Sequence, residues 1–244
     1  MKRPAERPRK KSTGTQSSTS STDATEGAAT RGGGRRSYHH GRLREALIEA
    51  ALQLLEEGGP ERVTVREVGK RVGVSSGAPF RHFPTRTALL TAVAEQAMGR
   101  LRTEIDTALE QADPDDPLAR FRAVGTAYLR WATRNPTHFR VISDRSLIDI
   151  EGSEIFRRHN LEIRQLMDEL LAEADRRGLL APTDVKLVPI AARALVYGLA
   201  RMRIDGHLAQ WDVAPDEAEE QMQAAMGLVI DSMRSRSPAV SAGP

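Results

Sequence analysis

The sequence predicts an all-α fold, a three-helix head followed by a larger helical body. Apolar residues recur at helical spacing in nearly every segment from Leu43 onward. Glycine and proline clusters, such as Gly58-Gly59-Pro60 and Asp113 to Pro117, punctuate the helical stretches. No alternating β-branched run extends beyond a few residues.

Residues 1–36 are rich in Ser, Thr, Gly, Arg and Lys and nearly lack large apolar side chains. Such a segment cannot bury enough surface to offset chain entropy, so a disordered basic arm is expected there. From Gly41 the pattern changes. Leu43, Ala46, Leu47, Ala50, Ala51, Leu54 and Leu55 lie on one face of a helix that stops at Gly58. Thr64 and Glu67 form a capping box that opens a second helix, ending at Gly73. A third, short helix is expected from the serines at 75 and 76 to about Phe83, before Pro84. A long fourth helix follows from about Thr85 to Gln111.

The body is expected to hold helices at about 118–134, 136–143, 153–177, 184–205 and 215–234. The boundaries are then an arm at 1–36, a head at 37–101, a body at 102–235 and a disordered tail at 236–244. The chain has no cysteine, which removes disulfides and thiolate metal sites and agrees with a cytoplasmic setting. No apolar run approaches a membrane span; Pro189, Arg193 and Arg201 break the best one. The basic N-terminus lacks the apolar stretch of a secretory signal.

Charge is unevenly spread. Residues 1–36 hold nine Lys/Arg against three Asp/Glu, residues 37–90 eight against six, and residues 91–244 nineteen against twenty-four, within a net charge of +3. A positive end on an otherwise acidic chain points to a polyanionic partner, nucleic acid first, or to a solubilising tail.

The stretch Val72 to Pro84, VGVSSGAPFRHFP, carries the sharpest signal. A glycine turn between two helices suits a helix-turn-helix, whose second helix enters the major groove of DNA. Pro79 inside that helix is unusual, since an interior proline costs roughly 3 kcal/mol. With Ser76 as N-cap it falls at the third helical position, where no intrahelical bond is lost. With Ser75 as N-cap it falls at the fourth position and the first bond is lost, so Ser76 as cap, or a distorted first turn, is expected. Gly77, Ala78 and Pro79 are expected to allow close backbone approach and to touch a thymine methyl. Ser75, Ser76 and Arg81 are the polar base-reading candidates. Phe80 and Phe83 should pack inward or flank the backbone, and His82 and Arg86 should meet phosphates.

The segment from about Gly41 to Leu101, with VGVSSGAPFRHF followed by TRTALL as its most recognisable part, resembles the DNA-binding domain of the TetR family of transcriptional regulators. SYHHGRLREAL and APFRHF are similar to a subgroup with proline in the third helix and a Trp-His-Gly motif in the body. Val196-Tyr197-Gly198 stands at the matching place here. The resemblance implies that Thr64 contacts a phosphate as well as capping, and that Phe80 and His82 touch the DNA backbone. Arg86 takes the place of a phosphate-holding lysine. Tyr38 and His39, extended by Arg35 and Arg36, form an arm reaching a neighbouring groove, and Arg42 adds a backbone contact.

The body is read as sensor and dimer. Tyr128, Trp131, His138, Phe139, Phe156, His159 and Met167 are candidates to line a mostly apolar pocket for a small hydrophobic effector, the competing role being ordinary core. Leu195, Leu199 and Met202, with the stripe Met222, Met226, Val229 and Met233, are read as a homodimer interface built from the last two helices. Paired heads need a partner one DNA turn away, roughly 34 Å.

Gly73 to Gly77, GVSSG, matches the nucleophile elbow of hydrolases, but that motif needs a preceding strand, so no enzyme is expected. The histidines are scattered, and neither a metal site nor a cofactor is expected. The expected function is a homodimeric repressor on a near-palindromic operator in double-stranded DNA, released by the effector. The alternative is an activator or partner-dependent regulator without a ligand.

Overall fold

The computed structural model describes residues 33–182 and 185–235, with side chains from Arg42 onward. The proposed tail at 236–244 and most of the proposed arm lie outside the described residues. Among the described residues there are eight α-helices and no strand, only an isolated antiparallel bridge between Leu180 and Arg234.

Helix α1 spans Gly33–Gly58. Its backbone is already helical eight residues before Gly41, through the positions of Tyr38 and His39. Leu47, Ala51 and Leu54 are fully buried, as the spacing predicts. Gly59, with φ 75°, ends the helix in a conformation open mainly to glycine. Helix α2 spans Val65–Val72. Thr64 Oγ1 accepts from Glu67 N at 3.1 Å, so half of the capping box is made. Gly73 at φ 77° closes α2, with Val74 N donating to Gly69 O at 3.2 Å and Gly73 N to Lys70 O at 3.1 Å.

The expected third helix is a single 3-10 turn, Pro79–Arg81, preceded by a turn at Ser76–Ala78. No side chain caps it, so neither Ser75 nor Ser76 is an N-cap. The Ser75 carbonyl, which a residue-79 N–H would reach in an α-helix, already accepts from Ala78 N at 3.0 Å. Pro79 therefore forfeits no bond. Its carbonyl accepts from both His82 N and Phe83 N, at 3.0 and 2.9 Å.

Helix α3 runs unbroken over Arg86–Gln111, capped by Thr85, whose Oγ1 accepts from Ala88 N at 3.0 Å. Its 26 residues correspond to about 39 Å. It packs on α1 in the head and on α4, α5 and α6 in the body. The body adds α4 (Pro117–Arg134), α5 (Pro136–Ser143), α6 (Glu154–Arg176), α7 (Val188–Ile204) and α8 (Ala218–Met233). Asp116 caps α4 by accepting from Leu118 N and Ala119 N, both at 2.9 Å. Pro136 separates α4 from α5 at its permitted first position. Helix α4 is the central post, in contact with α3, α5, α6, α7 and α8. One apolar core continues from Leu47 and Val68 in the head to Trp131, Phe139 and Leu171 in the body.

Candidate nucleic-acid interface and effector cavity

The head presents a continuous exposed ridge: Thr64 and Arg66 at the start of α2, then Ser75, Ser76 and Gly77, then Phe80 and Arg81. Ala78 and His82 are half-buried beside them. Phe80 is 44% exposed although aromatic, with its ring at the surface of the turn. Phe83 is buried, under the Arg44 guanidinium at 5.5 Å from its ring centroid. Chemically the ridge offers backbone amides, hydroxyls and a guanidinium without an intervening carboxylate in the turn itself. That is the donor-rich surface a phosphate backbone and base edges require.

Pro79 is buried, and its neighbour explains why. A Cβ placed on Gly69 would lie 2.3 Å from Pro79 Cγ. The proline ring thus seats directly on the bare backbone of α2. This fixes the angle between α2 and the reading turn by steric contact rather than by hydrogen bonds.

In the body a cavity of about 770 Å³ opens between α3, α4, α6, α7 and α8. Leu101, Phe121, Val124, Ile163, Val196 and Met226 are among its apolar walls. Tyr128 lines it with a buried hydroxyl that has no hydrogen-bond partner among the described residues. Burial pushes that phenol up, and the Arg193 guanidinium lies 4.5 Å above its ring. The cavity sits within the size range of small-molecule sites.

Two sequence families match the chain. The profile described as "Bacterial regulatory proteins, tetR family" covers residues 47–93, and "Tetracyclin repressor-like, C-terminal domain" covers residues 121–226. The chain belongs to the TetR family. It is therefore a DNA-binding transcriptional regulator of the helix-turn-helix type. The nucleoid occlusion factor SlmA of Vibrio campbellii is 32% identical over 133 residues, spanning 52% of this chain and 67% of that protein. SlmA of Klebsiella pneumoniae strain 342 is 31% identical over 134 residues, with the same shares. Among solved structures, a Rhodococcus sp. RHA1 protein of unknown function superposes with TM-score 0.68 at 28% identity, covering 81% of this chain and 98% of its own. The ketosteroid regulator KstR2 of Mycobacterium tuberculosis shares the fold at TM-score 0.60 and 18% identity, over 80% of this chain and 96% of its own.

Within this TetR-family frame several expected site residues sit elsewhere. Pro79 is a packing residue of the turn and not a thymine contact. Arg86 turns back into the head: Nε donates to Val63 O at 3.0 Å and Nη2 to Pro60 O at 2.8 Å. Those carbonyls, of which that of Pro60 also accepts from Val63 N in the short 3-10 turn Pro60–Arg62, compete with any phosphate for its guanidinium. The side chains of Tyr38 and His39 lie outside the described residues. Arg42 is exposed near the start of the described α1 surface.

Of the seven pocket candidates, Tyr128 and Met167 line the cavity. Trp131 and Phe139 are buried behind Tyr128, each with ring centroids 6.4 Å from it, and belong to the core. His138 is buried against Arg100, with Nε2 3.5 Å from Nη1. Phe156 lines a second, smaller cavity, and His159 is half-buried beside Glu162 at 3.5 Å.

The outward face of the last two helices also differs from the expected one. Met222 and Met226 are 2% and 3% exposed and turn into their own subunit, where Met226 Sδ fills the space above Gly125 of α4. Leu195, Val229 and Met233 line the cavity, and Leu199 and Met202 pack half-buried on the core. Exposed instead are Leu187 and Ile190 of the α7 end and Leu228 of α8, at 60%, 67% and 76%. An apolar stripe identifies a buried face; its period does not say whether the cover is the same chain or a second copy.

Proposed function

We propose that the protein is a homodimeric transcriptional repressor acting in the cytoplasm, released from a near-palindromic operator by a small apolar effector. The observation that carries this reading is the continuity of α3. Its first turn follows the reading turn directly, through Pro84 and Thr85, and further along it supplies Met98, Leu101 and Ile105 to the cavity wall. A molecule filling the cavity acts on the same rigid rod that sets the position of the reading turn. Release requires that the effector bind more tightly to the spacing that misfits the DNA.

Thr64, Ser75, Ser76, Gly77, Phe80, Arg81 and His82 form the DNA-facing set in this reading, with Ala78 beneath them. Dimerisation uses the outward faces of α7 and α8, with Ile190 and Leu228 as apolar anchors. An exposed apolar surface of that kind on paired helices is a usual mark of association.

The test is selection of bound fragments from genomic DNA, followed by gel shift of the recovered site with and without compounds that raise the melting temperature. Release of the retarded band by a stabilising compound supports the repressor reading. A second reading, a DNA-bound factor working without a small effector, is favoured by the name of the SlmA relatives, nucleoid occlusion factor. Stabilising compounds that leave the DNA complex intact favour that second reading.

A further inference from the structure

The 770 Å³ cavity does not end in apolar wall. Asn160, Arg164, Arg193 and Tyr197 line both it and an adjoining cavity of about 440 Å³. The second chamber is of opposite character. It gathers Arg145, Arg157, Arg164 and Arg193, with Glu151 as its single carboxylate. Glu151 meets Arg145 at 3.6 Å in a pair that is itself exposed and weakly held. Arg164 meets Asp168 at 3.6 Å, but this pair is exposed and weakly held. Among the described residues neither Arg157 nor Arg193 has a carboxylate within ion-pair distance. Several guanidinium groups brought to one chamber repel one another unless an anion joins them. Beside them, the Tyr128 hydroxyl lies buried and unpartnered in the apolar chamber, under Arg193.

We propose that the effector is an amphiphile: an apolar chain occupies the larger chamber and an anionic, phosphate-bearing head lies among Arg157, Arg164 and Arg193. This rests on the reading of the cavity as the effector site. The planar guanidinium fork matches phosphate oxygens bidentately, and charge-assisted bonds of this kind are the strong ones. Arg193 stands at the junction, stacked on the Tyr128 ring, so it holds the head where the chain enters. The two chambers also set the polarity of binding, with the chain directed toward α3 and α8 and the head toward the N-terminal half of α6. A neutral apolar compound would fill only one chamber and leave the arginine cluster unneutralised.

The experiment is calorimetric titration of the full chain, below the micellar range, with decyl phosphate, decanol and inorganic phosphate. It is repeated with Arg193→Gln and Arg157→Gln, whose folding is checked by circular dichroism; both side chains are exposed. Decyl phosphate is expected to bind about ten- to a hundredfold more tightly than decanol, the worth of a charge-assisted bond. Arg193→Gln should remove most of that difference, and Arg157→Gln, which lines only the second chamber, should reduce it and leave decanol binding unchanged. Equal affinity for decyl phosphate and decanol overturns the head-group assignment and leaves the cavity as an apolar effector site. Inorganic phosphate binding as tightly as decyl phosphate overturns the two-chamber ligand. Binding of none of the three overturns the effector reading itself.

Discussion

Ser153 donates its hydroxyl to Glu95 Oε1 at 2.8 Å, bridging the N-terminus of α6 and the middle of α3. The same oxygen accepts from Phe156 N at 3.1 Å and so caps α6. Glu95 in turn meets Arg44 of α1 at 3.5 Å. One carboxylate thus ties a body helix that borders both chambers to the two longest helices of the head.

Ser153→Ala should remove both the cap and the bridge. The expected loss of stability is about 1–2 kcal/mol, read from urea unfolding. Operator affinity without effector should change little, while the fold-change caused by effector should shrink. Full retention of that fold-change would show that the bridge carries no coupling. Glu95→Gln keeps an acceptor for Ser153 and loses only the charge facing Arg44, so its effect should be smaller.

The Gly69–Pro79 seat makes a sharper forecast. Gly69→Ala forces a methyl onto the proline ring and should destabilise the head by roughly 1–3 kcal/mol, the usual cost of overpacking. DNA binding should fall with it, because the turn is displaced. Pairing it with Pro79→Ala should recover much of the deficit. A strictly additive double variant, by thermal unfolding and gel shift, would contradict direct contact between the two.

Arg86 and Arg81 should separate cleanly. Arg86→Ala leaves the Val63 and Pro60 carbonyls without their guanidinium donor and should cost about 1.5–3 kcal/mol of stability. It should leave the dependence of DNA affinity on salt unchanged. Arg81→Ala should barely touch stability. It should reduce the slope of log affinity against log salt by roughly one for each phosphate that the guanidinium neutralises. The reverse pattern would return Arg86 to the DNA face.

His138 gives a pH dependence. Burial, aided by the charge of Arg100, lowers its pKa to about 4. The unfolded chain takes up a proton near pH 6.5, and the folded one does not until about pH 4. Its contribution to stability is therefore complete above pH 6.5 and is lost as pH falls from there toward 4. His138→Leu should flatten the melting temperature across that window. An unchanged slope would show that other groups govern it.

Much of this was readable from the sequence, for physical reasons. The capping residue Thr64, the αL glycine Gly73 and the proline stop at Pro136 act locally, so helix bounds followed from them; the helix expected before Pro84 is only a 3-10 turn. The apolar period of α1 placed Leu47, Ala51 and Leu54 correctly. What escaped depends on residues distant in sequence. Gly69 carries no signal of its own in the sequence, because its meaning lies ten residues away in Pro79. Arg86 fitted a phosphate role until the carbonyls of Pro60 and Val63 came within its reach. Trp131, His138 and Phe139 have the composition of a pocket, yet the turn at Pro136 folds them into the core. Arg157 and Arg193 lie far apart along the chain, and only the packing of α6 beside α7 brings them to one chamber.

The proline resting on bare α2 backbone also governs how the recognition segment can be exchanged. A loop grafted from a homologue with a smaller side chain at position 79 would rock over an empty pit. A graft with a larger one would be levered off the helix. Re-targeting this regulator to a new operator therefore means transplanting residue 69 and the turn together, as a matched pair.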